Sequence, residues 1–443
     1  MLTKHASERF EWIKFLLSVS VFFVFSSSTL NGEVPAVQAE TNPTHVGEIV
    51  SILQQANADP VVLRGDDQDK VVVVSPKLVG RVICTGMDGL QGHTNAFVNA
   101  KQIQQGFTTS GYAARSGPGE GWNNFGGAER IWFAPEAGPY GFFFEPAADQ
   151  VWHNYLMSHP LHSLQYKTSD TANDGKSVTF AVPVEMTNYA GKKVALDVNR
   201  RISLLEDCPF ALGLEKKVDF VGFESRTWAK NAGDQALDKK TTPTAIWTLG
   251  MFNPGPQVIV LLPFKEGADS ELGEPVTTEY FRYFLTVDND DEFLSRHWSV
   301  EDGCVLVKAD GRIQLKLEML KRRSLGRLAA VDLAKHEMTI VDFEVYPELD
   351  YAASFFTPYE GDLLDGGVMS TFMNVGEPLS TENPAFFELE TCSPIMQLRP
   401  NEQFCHVSRT YTVRAVRASL MQMCERFFNV DEKTLMAFDQ RSR

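Results

Sequence analysis

A large two-sheet antiparallel β structure with short helices at its ends is the fold this sequence predicts. Three observations carry it. The first is a period of two in hydrophobicity, cleanest at residues 177–205. There Val178, Phe180, Val182, Val184 and Met186 alternate with polar or small residues. After the turn Asn188-Tyr189-Ala190-Gly191, Val194, Leu196, Val198, Ile202 and Leu204 alternate again, a hairpin with one buried face. The second is a run of short strand signals separated by dense Gly, Pro, Asn and Asp turns. The third is that helical spacing is confined to the two ends of the folded part. No repeat or low-complexity linker marks a boundary, so residues 45–415 read as one β domain and 416–443 as a helical tail.

At the start of the chain, Lys4, Arg9 and Lys14 precede an apolar run, 15–25, broken only by Ser18 and Ser20. Small residues follow, and Val37-Gln38-Ala39 offers a small-x-small cleavage site. A bilayer needs about 20 apolar residues to be spanned, so 1–39 reads as a secretory signal peptide, with an uncleaved anchor as the other reading. The expectation is a periplasmic or secreted protein, off the membrane once that segment is removed. Segment 1–39 carries three basic and three acidic side chains, so its removal leaves the net charge of −16 unchanged. An acidic surface repels nucleic acid and anionic headgroups and is easier to reconcile with a neutral or cationic ligand.

Val46, Ile49, Val50 and Leu53 place a short helix at 45–56. From Val61 the period is two: 61–65, 70–76 and 80–86 read as strands, and 91–106 as loop with a helical turn. Residues 122–145, WNNFGGAERIWFAPEAGPYGFFFE, join aromatic strands through two Gly-rich corners that carry Glu129, Arg130 and Trp132. Such a corner suits a polar ring-shaped ligand. Arg200 falls on the apolar side of the second hairpin strand, either paired in the core or turned into a cleft. Strand signals continue at 218–225, 244–253, 257–264, 280–287, 304–309, 312–320, 338–346 and 386–393. Leu420, Met423, Cys424 and Phe427 then predict a helix from about Val416.

The six cysteines show no C-x-x-C spacing, which argues against a zinc ribbon or a thioredoxin motif. Cys392 and Cys405, on consecutive strands, form the one pair to expect if a disulfide exists, and buried free thiols are the alternative. His153, His159 and His162 share a loop without helical metal-site spacing, and Asp288 to Glu292 read as an acidic helix start rather than a calcium loop. No metal and no cofactor is expected. There is no G-x-S-x-G, H-E-x-x-H or Walker loop.

Glu388 and Glu390 share one face of the strand FFELETC, Phe387 and Leu389 the other. Two carboxylates on one β face suit sugar hydroxyls or general-base chemistry, and a solvated outer face is the plainer reading. On the next strand His406 lies on a polar stripe, a proton partner or a surface residue. Tyr359-Glu360-Gly361-Asp362 and Ser370 to Gly376 read as a polar, Gly-rich loop from which Asp362 and Asn374 could line the same cleft.

Gly126-Gly127-Ala128-Glu129-Arg130-Ile131-Trp132-Phe133-Ala134-Pro135-Glu136 resembles the G-G-x-x-R-x-W-x-x-P-E signature of uncharacterised exported bacterial proteins with a galactose-mutarotase-like supersandwich. The stretches Asn188-Tyr189-Ala190-Gly191, 249–256 (LGMFNPGP) and 387–394 fit the same pattern. In the sugar epimerases of that superfamily a histidine acid and a late glutamate base open and close the hemiacetal ring. The resemblance implies Glu388 or Glu390 as the base and Arg130 as a hydroxyl-binding arginine. The epimerase N-H-x-Y-F motif is missing, and no histidine follows Asn188 until His297.

Together these readings predict an exported saccharide-binding or saccharide-processing protein. Its ligand would sit on the concave sheet near Glu129, Arg130, Trp132, Glu388 and Glu390, with Asn253, Asp362 and Asn374 at the rim. One glutamate would act as base, Arg130 and Asn253 would orient hydroxyls, and Trp132 would stack on a ring. The alternatives are a non-catalytic glycan-binding module and a structural sandwich that presents an interface.

Overall fold

The computed structural model describes residues 41–107, 123–156, 161, 163–172, 174–214, 218–281, 295–355 and 361–442. Helix α1 (Val46–Gln55) opens it and buries the stripe Val46, Ile49, Val50 and Leu53. Strands β1 (Val61–Arg64), β2 (Val71–Ser75) and β3 (Arg81–Gly86) form a three-stranded sheet. Both faces of β2 and β3 are covered, so their sequences are near-continuous apolar runs. Helix α2 (Ala100–Gln105) follows, capped by the Asn99 side chain, which accepts from the Gln102 backbone N–H at 3.0 Å.

Two larger antiparallel sheets make the sandwich. The smaller has the order β13 (Leu315–Leu320), β16 (Gly367–Asn374), β17 (Phe386–Cys392), β9 (Ala245–Phe252), β4 (Arg130–Ala134). The larger begins with β11 (Trp298–Glu301), β12 (Cys304–Lys308), β10 (Val258–Pro263), β14 (Arg327–Asp332) and β15 (Glu337–Phe343). It continues through β18 (Gln403–Arg414), β8 (Asp219–Asn231), β7 (Lys193–Leu205), β6 (Ser177–Thr187) and β5 (Lys167–Thr171). The hairpin read at 177–205 is β6–β7, with eleven paired positions from Ser177↔Ser203 to Thr187↔Lys193. The expected strand at 280–287 is not one where it is described: Glu279–Phe281 is a single 3-10 turn, and 282–287 lie outside the described residues.

The larger sheet buries both faces over β10, β12, β14 and β15, whereas β5 and the outer positions of β6 and β7 are exposed or half-buried. Ile259, Leu261, Leu306, Met338, Ile340 and Val413 point outward, where α4 (Arg417–Phe428) and α5 (Glu432–Arg441) cover them; a one-turn helix, α3 (Asp269–Leu272), lies earlier in the chain. The single tail helix expected from Val416 is thus two, broken at Asn429, which takes the left-handed conformation at φ 55°. The Lys308 ammonium pins α5 through Asp439 at 2.5 Å, with both side chains out of solvent.

The helices cover Tyr411 and Val413 of β18, and the polar stripe of that strand faces the other sheet. His406, Ser408, Thr410 and Thr412 are all buried between the sheets, a correction to the expected surface position of His406. The His406 ring lies 3.2 Å from Thr391 Oγ1 of β17, and Thr85 pairs with Thr412 at 3.4 Å. Arg200 resolves in favour of the core. It donates to Glu129, to Ser225 Oγ at 2.9 Å, to Thr227 Oγ1 at 3.2 Å and to the Gly80 carbonyl. Cys392 and Cys405 are both free, as are the other four cysteines. Each lies on the face of its strand turned away from the other sheet, so the expected disulfide has no geometry to form. Among the described residues no helix is long and apolar enough to cross a membrane.

Candidate functional site

Strand register builds the site. Thr391, Leu389 and Phe387 of β17 point to the sandwich interior, so Glu388 and Glu390 point to the opposite, outer face of the five-stranded sheet. A one-residue slip would exchange two carboxylates for two large apolar side chains in the core, which fixes the register firmly. Across the sheet Arg130 stands opposite Leu249, Leu249 opposite Glu390, Glu390 opposite Ser370, and Ser370 opposite Glu318. The adjoining row runs Met251, Glu388, Phe372, Lys316. Trp132 and Trp247 pair on the other side of the first row, 5.5 Å apart and edge to face.

This outer face is covered rather than solvated. Glu390 is 0 % exposed, Glu388 and Glu318 5 %, and Lys316, Glu136 and Arg130 3 % or less. Arg130 donates to Glu388 Oε1 at 2.8 Å and lies over the Trp132 ring at 4.6 Å. Glu390 Oε2 accepts from Lys316 Nζ at 2.9 Å, Trp247 Nε1 at 2.9 Å and Ser370 Oγ at 2.8 Å. The Lys316 ammonium also stacks on Trp247 at 4.6 Å and on Tyr280 at 4.4 Å. Glu136, on the segment after β4, accepts from the hydroxyls of Tyr155 and Tyr280. Among the described residues, Glu390 Oε1, Glu318 Oε2, Arg130 Nε and Nη1, and Trp132 Nε1 on this face are buried without a hydrogen-bond partner.

Burial dominates the electrostatics. It pushes the Glu388 carboxyl up, against the opposing pull of Arg130, and raises Glu318 to about 7 against that of Lys316. Glu136 is raised for the same reason, and both tyrosines that hold it are pushed well up. Burial alone would lower Lys316, but Glu390, Glu136 and Glu318 outweigh it, so the net shift is upward and the ammonium stays charged.

Of the residues singled out by sequence, Arg130, Trp132, Glu388 and Glu390 are brought together. Glu129 is not. It precedes Arg130 and therefore points through the sheet, where Arg200 and Ser408 Oγ (3.0 Å) hold its two oxygens. Asn253 lies beyond the end of β9 and donates to the Ala96 carbonyl at 2.9 Å, tying down a neighbouring loop. Asp362 sits in an exposed turn, accepting from the Leu364 N–H at 2.9 Å. Ser370 to Asn374, expected in a loop, lie in β16 because they pair along β17, and Asn374 clasps its own hairpin through the Pro384 carbonyl at 3.0 Å. His406 lies between the sheets on the far side of β17, which removes it as a proton partner for Glu390. His153 is exposed, His159 and His162 lie outside the described residues, and so does the acidic stretch 288–292. Among the described residues no group of three His, Cys, Asp or Glu is placed to hold a metal.

Sequence reasoning missed Lys316, Glu318, Trp247, Glu136, Tyr155 and Tyr280. For two of them the signal was present: in QLKLEML, Lys316 and Glu318 alternate with Leu315, Leu317 and Met319 just as Glu388 and Glu390 alternate with Phe387 and Leu389. The tyrosines and Glu136 lie in irregular segments, where periodicity gives no face.

Residues 44–438 match a family model described as "Family of unknown function (DUF6786)". The chain belongs to this family. The DUF6786 match runs from just before α1 into α5, so it spans all three sheets and the covered face. No curated protein matches the sequence. Among solved structures, a putative aldose 1-epimerase from Escherichia coli K12 is similar in layout, at 12 % identity and a TM-score of 0.44 over 81 % of this chain and 99 % of that one. A galactose mutarotase related enzyme from Lactobacillus acidophilus is similar at 10 % identity and a TM-score of 0.37, over 80 % and 97 % of the two chains. A putative mutarotase from Salmonella typhimurium is similar at 11 % identity and a TM-score of 0.37, over 78 % and 88 %.

Proposed function

We propose that this member of DUF6786 is an exported saccharide-binding protein whose ligand docks on the outer face of the five-stranded sheet. One observation carries the reading. Buried donors on Arg130 and Trp132 and buried acceptors on Glu390 and Glu318 converge on one face without partners among the described residues. Leaving such groups unmatched is costly, and a polyol ring, which both donates and accepts, can satisfy them together. The indoles of Trp132 and Trp247 supply the apolar face that the C–H side of a sugar needs. Net acidity and the targeting-like segment 1–39 support a neutral or cationic ligand met outside the cytoplasm.

If the protein also turns its ligand over, Glu390 is the better base of the two glutamates. Glu388 is committed to Arg130, whereas Glu390 has Oε2 held by three donors and Oε1 unengaged, an arrangement that orients one oxygen toward a substrate proton. Lys316, Trp247 and Ser370 then position that carboxylate.

The test is a saccharide panel on the mature protein, read by thermal shift, with Glu390→Gln and Trp247→Leu alongside. A sugar at about 100 times its Kd stabilises the fold by about 2.7 kcal/mol through mass action. Both variants should lose most of that shift, and Glu390→Gln should also lose any turnover. No shift with any neutral, amino or acidic sugar would overturn the proposal. A second reading has its own support: the recess beside Glu318 on this face holds about 10 Å³, room for one water, as a purely structural polar core would. That reading predicts destabilised variants and no sugar response.

A further inference from the structure

Four carboxylates share the covered face, and three have partners. Glu388 has Arg130, Glu390 has Lys316, Trp247 and Ser370, and Glu136 has two tyrosine hydroxyls. Glu318 is the fourth. It is 5 % exposed, and its Oε2 accepts no hydrogen bond from the described residues. Among the described residues the cations on hand are Arg130, Lys316 and Arg81, the last close enough to Glu388 and Arg130 for their charges to act on it. These three cations face four carboxylates, and Glu318 is the carboxylate with neither a cation nor a hydroxyl paired to it among the described residues.

That carboxylate borders the recess. The walls are the Trp247 indole, Ser354, Ser370, Cys392 and Gly367. Gly367 keeps the space clear, because a Cβ there would stand 3.0 Å from the Glu318 Cβ and 3.4 Å from its Oε2. An indole, a carboxylate oxygen and two hydroxyls around a water-sized void are the surroundings that favour one ammonium group. The same indole already accepts the Lys316 ammonium at 4.6 Å.

We propose that this recess is an ammonium subsite, with Glu318 as its counter-ion, and that the saccharide taken by the face is an amino sugar. The ammonium end stands on the recess itself; the sugar end rests on the saccharide reading above. Lys316, Glu390 and Glu136 are the other charged groups around Glu318, and Lys316 is already spent on Glu390. In the empty protein, burial lets Glu318 meet the missing charge with a proton; an entering ammonium replaces that proton.

The experiment compares melting temperatures in about 100 mM methylammonium chloride and the same concentration of tetramethylammonium chloride, at about pH 7.5. The second cation is too large for a water-sized recess and matches ionic strength. Wild type should melt about 2 °C higher in methylammonium, and Glu318→Gln should show no difference. Gly367→Ala, which fills the recess while keeping the carboxylate of Glu318 in the chain, should also show none. Equal melting of wild type in the two salts, or a difference that survives in both variants, overturns the subsite. A saccharide arm with glucosamine, glucose and glucuronate separates the two claims. A preference for glucosamine that Glu318→Gln abolishes supports both, and an equal response to glucose and glucosamine overturns the subsite while the saccharide reading stands. No response to any sugar, with the methylammonium effect intact, overturns the saccharide reading alone.

Discussion

Glu129→Gln tests whether β4 presents its two adjacent charges to opposite sides of the sheet. Glu129 is 3 % exposed and its partner Arg200 is 0 % exposed, with Ser408, Ser225, Thr227 and the Gly80 carbonyl completing the network. Neutralising Glu129 strands a guanidinium in the interior, and breaking such a pair costs about 3–5 kcal/mol. Unfolding entropy of about 2.1 cal/mol/K per residue gives about 0.8 kcal/mol/K for about 400 residues, so about 4 kcal/mol lowers the melting temperature by about 5 °C. Arg200→Met made in the Glu129→Gln background removes the stranded charge and should add little. The double-mutant cycle, read by urea unfolding, should return a coupling of about 2 kcal/mol or more. Glu129→Gln should leave a saccharide-induced thermal shift unchanged in size, whereas Arg130→Met should abolish it. A Glu129→Gln cost below about 1 kcal/mol, or additive single effects, would refute the buried pairing. A lost ligand response in Glu129→Gln would refute its assignment to the interior.

Three further outcomes follow from the same structure. Glu318 is raised from 4.5 to about 7 by burial, so its contribution to stability is intact below about pH 4.5 and lost as pH rises through 7. Glu318→Gln should therefore gain up to about 3 kcal/mol over wild type at about pH 8 and nothing at about pH 4, measured by urea unfolding at each pH. His406 is lowered from 6.5 to about 4 by burial, so its contribution is present above about pH 6.5 and lost as pH falls through 4. The stability gap between wild type and His406→Gln should shrink by up to about 3 kcal/mol over that window. All six thiols should react with a thiol reagent in denaturant without prior reduction. In the native protein Cys84, Cys304 and Cys424, all buried with thiols pushed up, should resist it. A two-thiol deficit in denaturant would reinstate a disulfide.

The two-sheet β class and its terminal helices were legible because period-two alternation and a helical stripe are local properties of the chain. So was the pairing of Glu388 with Glu390 on one face, and the rule that read it extends unchanged to Lys316 and Glu318. Alternation also states that Glu129 and Arg130 must part company, since neighbours in a strand point to opposite faces. What alternation cannot give is which face of a strand is inside. On β18 the polar stripe of His406, Ser408, Thr410 and Thr412 is the buried one, facing the other sheet, while α4 and α5, appended after the strand, cover Tyr411 and Val413 of the opposite stripe. On β17 the carboxylate face is buried as well, because the segment after β4 brings Glu136 and Tyr155 over it and Tyr280 closes from elsewhere in the chain. The sequence by itself therefore determined most of the strands, with β11, β14 and β16 among the exceptions, together with the alternation and the charged pairs those strands carry. Tertiary structure alone decided which layers lie over each face, and with them whether each charge meets water, a partner or neither.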